Sequence, residues 1–294
     1  MKNCFKKTAV LLFCAAVFLC SCTSQKEHKA NGEIKAAVAS YVSYTLAQNV
    51  LSDSADLTLL IPPGTEAHAF EPTPNTIKAL KRAQFFFYTS DTLEPWALKL
   101  DRNAIMLARN LPEVLPSDPH VWMSFDNAQV MAQNMTASVI KQYPALKSEL
   151  NKNYQDFSQD IKKLKEDYFE TLSACKNRTI YHIGHLAFGY IARDYGLNFK
   201  ALFSADMEQE PSAKDISLMV KAIKESGAKY IFSEEQLNPA LANTIAQETG
   251  AKILMLNTIE GVSKEDFKAG KTYQSLMYEN LENLKIGLEC QGEE

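Results

Sequence analysis

Residues 143–176 read YPALKSELNKNYQDFSQDIKKLKEDYFETLSACK, and the fold turns on what this stretch becomes. It contains no glycine, and its one proline stands near the start. Leu146, Leu150, Tyr154, Phe157, Ile161, Leu164, Tyr168 and Leu172 recur at spacings of three and four, which places them on one face of a helix. The pattern predicts a single helix of about 28 residues, roughly 40 Å long at 1.5 Å per residue. Such a helix is either a coiled-coil segment or a rigid strut between two bodies. The flanking sequence favours the strut, because short strands alternate with helices on both sides of it.

On the N-terminal side, IKAAVAS (34–40), ADLTLLI (55–61) and QFFFYTS (84–90) read as strands, the second stopped by Pro62-Pro63-Gly64. Helices are expected over 43–51, over 73–83 with Thr73 as N-cap and Pro74 at its first position, from 93 to 100, and over 125–142. On the C-terminal side, strands are expected at 178–184, 198–205, 229–234 and 252–257. The intervening helices fall at 186–196, 212–227 and 238–250, with a last one at 272–289. This alternation predicts an α/β protein with parallel sheets covered on both faces. The expected organisation is a first lobe over 33–142, a linking helix over 143–176 and a second lobe over 177–294.

The N-terminus reads as a targeting segment. A basic start, MKNCFKK, precedes an apolar run of about 13 residues, too short to span a membrane comfortably. Leu19 to Cys22 then reads LCSC and resembles a bacterial lipobox. The expectation is a signal peptide over 1–21, lipidation of Cys22, and a polar tether over 22–32 that anchors the protein without spanning the bilayer. An ordinary secretory signal, cut near Ser21 or Thr23, is the alternative. Of the six cysteines, Cys175 and Cys290 remain; an exporting compartment permits them to pair, and two separate thiols are the alternative.

With 46% hydrophobic and 22% charged residues, the chain as a whole suits a water-soluble protein with a large core. The net charge is −4 and no Lys/Arg cluster opposes it, so no nucleic-acid partner is expected.

There are only five histidines. His68 lies just past the 55–61 strand, His120 before the 125–142 helix, and His185 just past the 178–184 strand. Glu234 and Asn257 close two later strands. In open parallel sheets the C-terminal strand ends face one crevice, where ligands bind. Three imidazoles converging there suit a borderline metal such as zinc. No C-x-x-C or H-E-x-x-H occurs, which argues against a zinc finger or that class of metalloprotease. His182, inside its strand, reads more readily as a core histidine than as a ligand, with a supporting role beside the metal as its functional alternative.

LLIPPGTEAHAFEPTP, SDPHVWMSFDNAQVMAQNM, HLAFGYIARDYGL and YIFSEEQLNPALANTIAQETGAKIL come in an order and spacing that resemble the zinc/manganese solute-binding lipoproteins of bacterial ABC importers. The resemblance implies two Rossmann-like lobes joined by a backbone helix, with metal held between them by His68, His120 and His185. It implies Zn2+ rather than Mn2+, because manganese-type members often carry glutamate at the third position. It also implies an ABC permease as partner, an exported monomer anchored at the cell envelope, and no enzymatic activity. Two departures stand out. The family's fourth ligand is usually an aspartate near the end of the strand that reads LMLNTIEG here, where this chain has Asn257. That leaves water, Glu234 or a weak Asn257 contact for the fourth position. The link from 100 to 118 has no histidine-rich insertion. A three-histidine site with an open position also fits a zinc hydrolase with Glu234 as base, and a surface adhesin stabilised by its metal is a further alternative.

Overall fold

The computed structural model describes residues 34–291 except 113, 117, 206–209 and 236. The expected signal peptide, the tether and Cys22 lie outside the described residues.

Ile34–Val38 (β1) leads through Tyr41–Leu51 (α1) to Ala55–Leu59 (β2). Pro74–Leu80 (α2), Phe85–Tyr88 (β3), Ala97–Leu100 (α3) and Ile105–Met106 (β4) follow. All pairings are parallel, in the order β2-β1-β3-β4. Parallel neighbours require crossovers, and the helices supply them. Thr73 caps α2 as expected, its side chain accepting from the Thr76 N–H. α3 is a single turn rather than the longer helix expected from Leu93, because Leu93 to Trp96 instead wrap Glu94 into the core.

Phe125–Gln142 (α4) leads into Lys147–Ser173 (α5), a 27-residue helix where the strut was expected. After it come Thr179–Ile183 (β5), Gly189–Asp194 (α6), Asn198–Ala201 (β6), Ala213–Ser226 (α7), Tyr230–Ser233 (β7), Pro239–Thr249 (α8) and Lys252–Met255 (β8). Lys264–Lys268 (α9) and Tyr273–Gly287 (α10) close the chain. The second sheet has the order β6-β5-β7-β8, also parallel, so it repeats the first order strand for strand. The fold is therefore the expected α/β arrangement of two parallel sheets with one long helix between them in sequence.

The apolar stripe of α5 buries Leu150, Phe157, Ile161, Leu164, Tyr168 and Leu172. It packs against α1, α4 and α10. Tyr168 meets Phe125 edge-on with ring centroids 5.0 Å apart, and its hydroxyl donates to the Met277 carbonyl at 2.6 Å. One apolar cluster runs from β1 through α5 to α10, and a smaller one fills the space between the second sheet and α7 and α8. The Lys–Asp and Lys–Glu pairs along α5 are exposed and contribute little. Among the described residues no helix is long and apolar enough to cross a membrane. Cys175 and Cys290 form a disulfide that joins the end of α5 to the end of α10.

Glu94 is fully buried, and its Oε2 accepts from the N–H groups of Thr89 and Ser90, each at 3.0 Å. Burial pushes its carboxyl up to about 7 from an ordinary 4.5, even against those hydrogen bonds. A folded-state value above the unfolded one means that the stabilising contribution is complete below the unfolded pKa. It is lost as pH rises through the folded value, on the order of 3 kcal/mol in all. Glu94→Gln keeps an acceptor for both N–H groups. Urea unfolding between about pH 5 and pH 8 should show the wild type losing stability relative to the variant as pH rises; parallel pH profiles would refute this.

Candidate metal centre

The loop that carries His68 begins where Pro62-Pro63 stops the β2 segment. Gly64 adopts φ +81°, a conformation that side chains disfavour, and its N–H donates to the Val262 carbonyl at 2.7 Å. The Glu66 carboxylate then accepts from the N–H groups of His68 and Ala69, at 2.9 and 2.7 Å, and closes the turn.

His120 is held by Asp118. One carboxylate oxygen, Oδ1, accepts from the His120 N–H at 3.0 Å and from ring Nδ1 at 2.8 Å. Gly189 leaves room for this carboxylate, since a Cβ there would lie 2.5 Å from Asp118 Oδ2.

His185 sits between β5 and α6, and Glu234 at the end of β7 does for it what Asp118 does for His120. The Glu234 carboxylate accepts from the His185 N–H at 2.7 Å and from ring Nδ1 at 2.8–2.9 Å. β5 and β7 flank the point where the second sheet reverses its strand order, so His185 and Glu234 lie in the crevice where such sheets bind ligands.

Glu260 is the residue that sequence reasoning missed. It follows Asn257 by three positions, in a loop built to aim it. The Asn257 Oδ1 accepts from the Ile259 N–H at 2.8 Å, and Ile259 takes φ +65°, an outlier for a β-branched side chain. Asn280 pins the loop start, donating to the Asn257 carbonyl and accepting from its N–H. Three loop carbonyls accept from the first half of the chain: Thr258 from Trp122 Nε1 at 2.7 Å, Glu260 from the Tyr41 N–H at 3.2 Å, and Val262 from Gly64.

The four side chains meet. His120 Nε2 lies 3.3 Å from His68 Nε2 and 2.9 Å from His185 Nε2. Glu260 Oε2 lies 3.2 Å from both His68 and His120 Nε2, and Oε1 lies 3.3 Å from His185 Nε2. One potential ligand atom from each of the four falls within 4.8 Å of all the others. These five separations are close to what a tetrahedral zinc site needs, since bonds of 2.0–2.1 Å imply corners roughly 3.3 Å apart. The tautomers sharpen the point. Asp118 and Glu234 accept from Nδ1 of His120 and His185, so in the neutral rings Nε2 is a bare lone pair. Two bare nitrogens at 2.9 Å beside a carboxylate repel unless protons or a cation lie between them. Glu260 Oε2 has no hydrogen-bond partner among the described residues.

The charges respond accordingly. Burial alone would depress His185, but the Glu260 and Glu234 carboxylates outweigh it and hold the ring well above its usual range. Burial alone would raise Glu260, and the surrounding imidazoles bring it well below. His68 is raised, the Glu260 carboxylate overcoming burial.

The other sequence candidates stand outside the four-donor group. Glu234 points its carboxylate at Nδ1 of His185, away from Nε2. Asn257 spends its amide oxygen on its own turn. His182 is buried in β5, its Nδ1 at 3.1 Å from the His185 carbonyl, and burial pushes its imidazole down to about 4. The one signal for Glu260 was an acid lying just past the strand end, beyond a turn whose length sequence does not display.

The model of the zinc-uptake complex component A (periplasmic) family matches residues 37–287. The zinc-binding protein AdcA of Streptococcus pyogenes serotype M18 is 29% identical, with 98% of this chain aligned to 63% of that protein. The chain thus spans under two thirds of that relative. The high-affinity zinc uptake system protein ZnuA of Bacillus subtilis is 31% identical, over 97% of this chain and 98% of that one. The crystal structure of the Zn(II)-bound ZnuA-like domain of Streptococcus pneumoniae AdcA superposes with a TM-score of 0.77 at 32% identity, covering 88% of this chain and all of that domain. The chain belongs to the zinc-uptake complex component A family.

Proposed function

We propose that this protein is an extracytoplasmic solute-binding protein that captures one Zn2+ through His68, His120, His185 and Glu260 and passes it to an ABC permease. The observation that carries this reading is the four-donor group with its two imidazole Nδ1 atoms already committed to carboxylates. Three imidazoles and one carboxylate favour zinc over manganese, which prefers oxygen donors. Names of relatives that describe zinc binding and zinc uptake agree with it. In this reading the metal lies between the lobe over 33–142 and the lobe over 177–294, with 143–176 as the link. Cys22 carries a lipid that holds the protein at the cell envelope, where it acts as a monomer.

Four protein donors complete a tetrahedron, which leaves no open position for a substrate or an activated water. This supports a binding protein over a hydrolase. The bulk of the core lies in apolar clusters that need no ion, which supports cargo over a structural metal. Release follows from how the donors are mounted. His68 and His120 stand in the 33–142 lobe, whereas His185, Glu234 and the Glu260 loop follow β5, β7 and β8 of the second sheet, the Glu260 loop also taking hydrogen bonds from Trp122, Tyr41 and Gly64. Parting the lobes separates His68 and His120 from His185 and Glu260 and opens the site.

Metal analysis of purified protein, stripped and reloaded, tests the reading. One zinc per chain is expected, with stripped protein retaining its far-ultraviolet circular dichroism. Absence of zinc binding, or unfolding on stripping, would overturn it.

A further inference from the structure

We infer that His182 is a positioning residue for the metal site, holding the carbonyl of His185 while Glu234 holds its N–H and ring. The inference rests on His185 being a ligand. A carbonyl oxygen only accepts, so the 3.1 Å contact with the His185 carbonyl places a proton on His182 Nδ1. Glu234 takes the N–H of the same residue and its ring Nδ1–H. The two peptide groups that flank His185 and its ring are thereby all fixed, which aims Nε2 at the other three donors.

Two further features fit this role and no stabilising one. Gly184, between the two histidines, has no side chain because its space is taken. A Cβ there would overlap Glu234 Oε1 and come 2.5 Å from His182 Cε1. The strand end is thus shaped around the meeting of His182 and Glu234. His182 Nε2, moreover, is buried with no hydrogen-bond partner among the described residues, 3.6 Å from Glu234 Oε1. An unpaired buried acceptor is a cost to the fold. The ring packs against Phe188 and Phe199, with centroids 5.5 and 5.4 Å away, in a pocket that an apolar side chain would fill without that cost. What the imidazole adds is the Nδ1–H bond to His185.

Two variants separate positioning from packing. His182→Phe keeps a ring between Phe188 and Phe199 and deletes the donor. His182→Asn restores an N–H in the place of Nδ1 and gives up the ring. Zinc affinity, read by competition with a chromophoric chelator, should fall about tenfold or more in His182→Phe and return to within about threefold of wild type in His182→Asn. Thermal melts of the stripped proteins should show the reverse order of damage. Equal zinc affinity in wild type and His182→Phe overturns the inference alone; a wild type that binds no zinc overturns the reading beneath it. Nitrogen NMR of the histidines in the wild type needs no variant. It should report His182 protonated on Nδ1 with and without zinc, and an Nε2–H tautomer would overturn the clamp.

Discussion

Glu260→Gln is expected to weaken zinc binding by at least a hundredfold, because a group that merely orients a ligand is already worth about 10–100-fold. The substitution removes the one anionic donor and replaces it with an amide, a poor zinc ligand. It also turns N–H protons into a nest where imidazole nitrogens 3.2 and 3.3 Å away present lone pairs. The loop should still deliver the side chain, since its aim comes from Asn257, Asn280, Trp122 and Tyr41 rather than from the carboxylate. Glu234→Gln is the informative companion. It touches no donor nitrogen and should cost only the orientation of His185, about 10–100-fold. Chelator competition on the two variants ranks them. If Glu234→Gln were the more damaging, Glu234 would be the ligand and Glu260 its bystander; if Glu260→Gln bound as tightly as wild type, the four-donor site would be wrong.

Those two carboxylates also mark how far the sequence could be read. The α5 stripe was legible because one face of a long helix needs only spacing. The central strands were legible because a strand buried on both faces is a nearly continuous apolar run, as Phe85-Phe86-Phe87 is. β4 was not, since two residues at a sheet edge carry no pattern, and α9 is too short to show a period. His68, His120 and His185 were legible as rare residues at strand ends and helix starts. Glu260 was not, because the strand-end rule points to Asn257 and stops there. The last three positions depend on a turn closed by the Asn257 side chain and by a positive φ at Ile259, both of which come from tertiary contacts. The role of Glu234 was left open by the sequence: a carboxylate beside a ring can face either nitrogen, and only the fold turns it to Nδ1 of His185.

Reducing the Cys175–Cys290 bond is expected to lower the melting temperature by about 4–20 °C, from a loss of about 2–5 kcal/mol at 2–4 °C per kcal/mol. Sequence left the pairing of these cysteines open, and the structure joins them across 115 positions. A closed loop of that length removes much of the unfolded chain's freedom, which puts the chain-entropy contribution near the top of that range. The folded state should change little on reduction. Backbone bonds from Asn177 to Leu288 and from Gln291 to Ala174, at 3.0 and 3.2 Å, still dock the C-terminus beside the end of α5. The hydrogen bonds that hold His120, His185 and the Glu260 loop come from Asp118, Glu234, Asn257, Asn280, Trp122, Tyr41 and Gly64, none of them near residues 174–177 or 288–291 in sequence. The double variant Cys175→Ala/Cys290→Ala should therefore melt earlier while binding zinc as the wild type does. A drop in zinc affinity would show that the cross-link sets the spacing of α5 and α10 and, through Asn280 on α10, the aim of Glu260. An unchanged melting temperature would place the effect of the bond in an unfolded state already too compact to be restrained further.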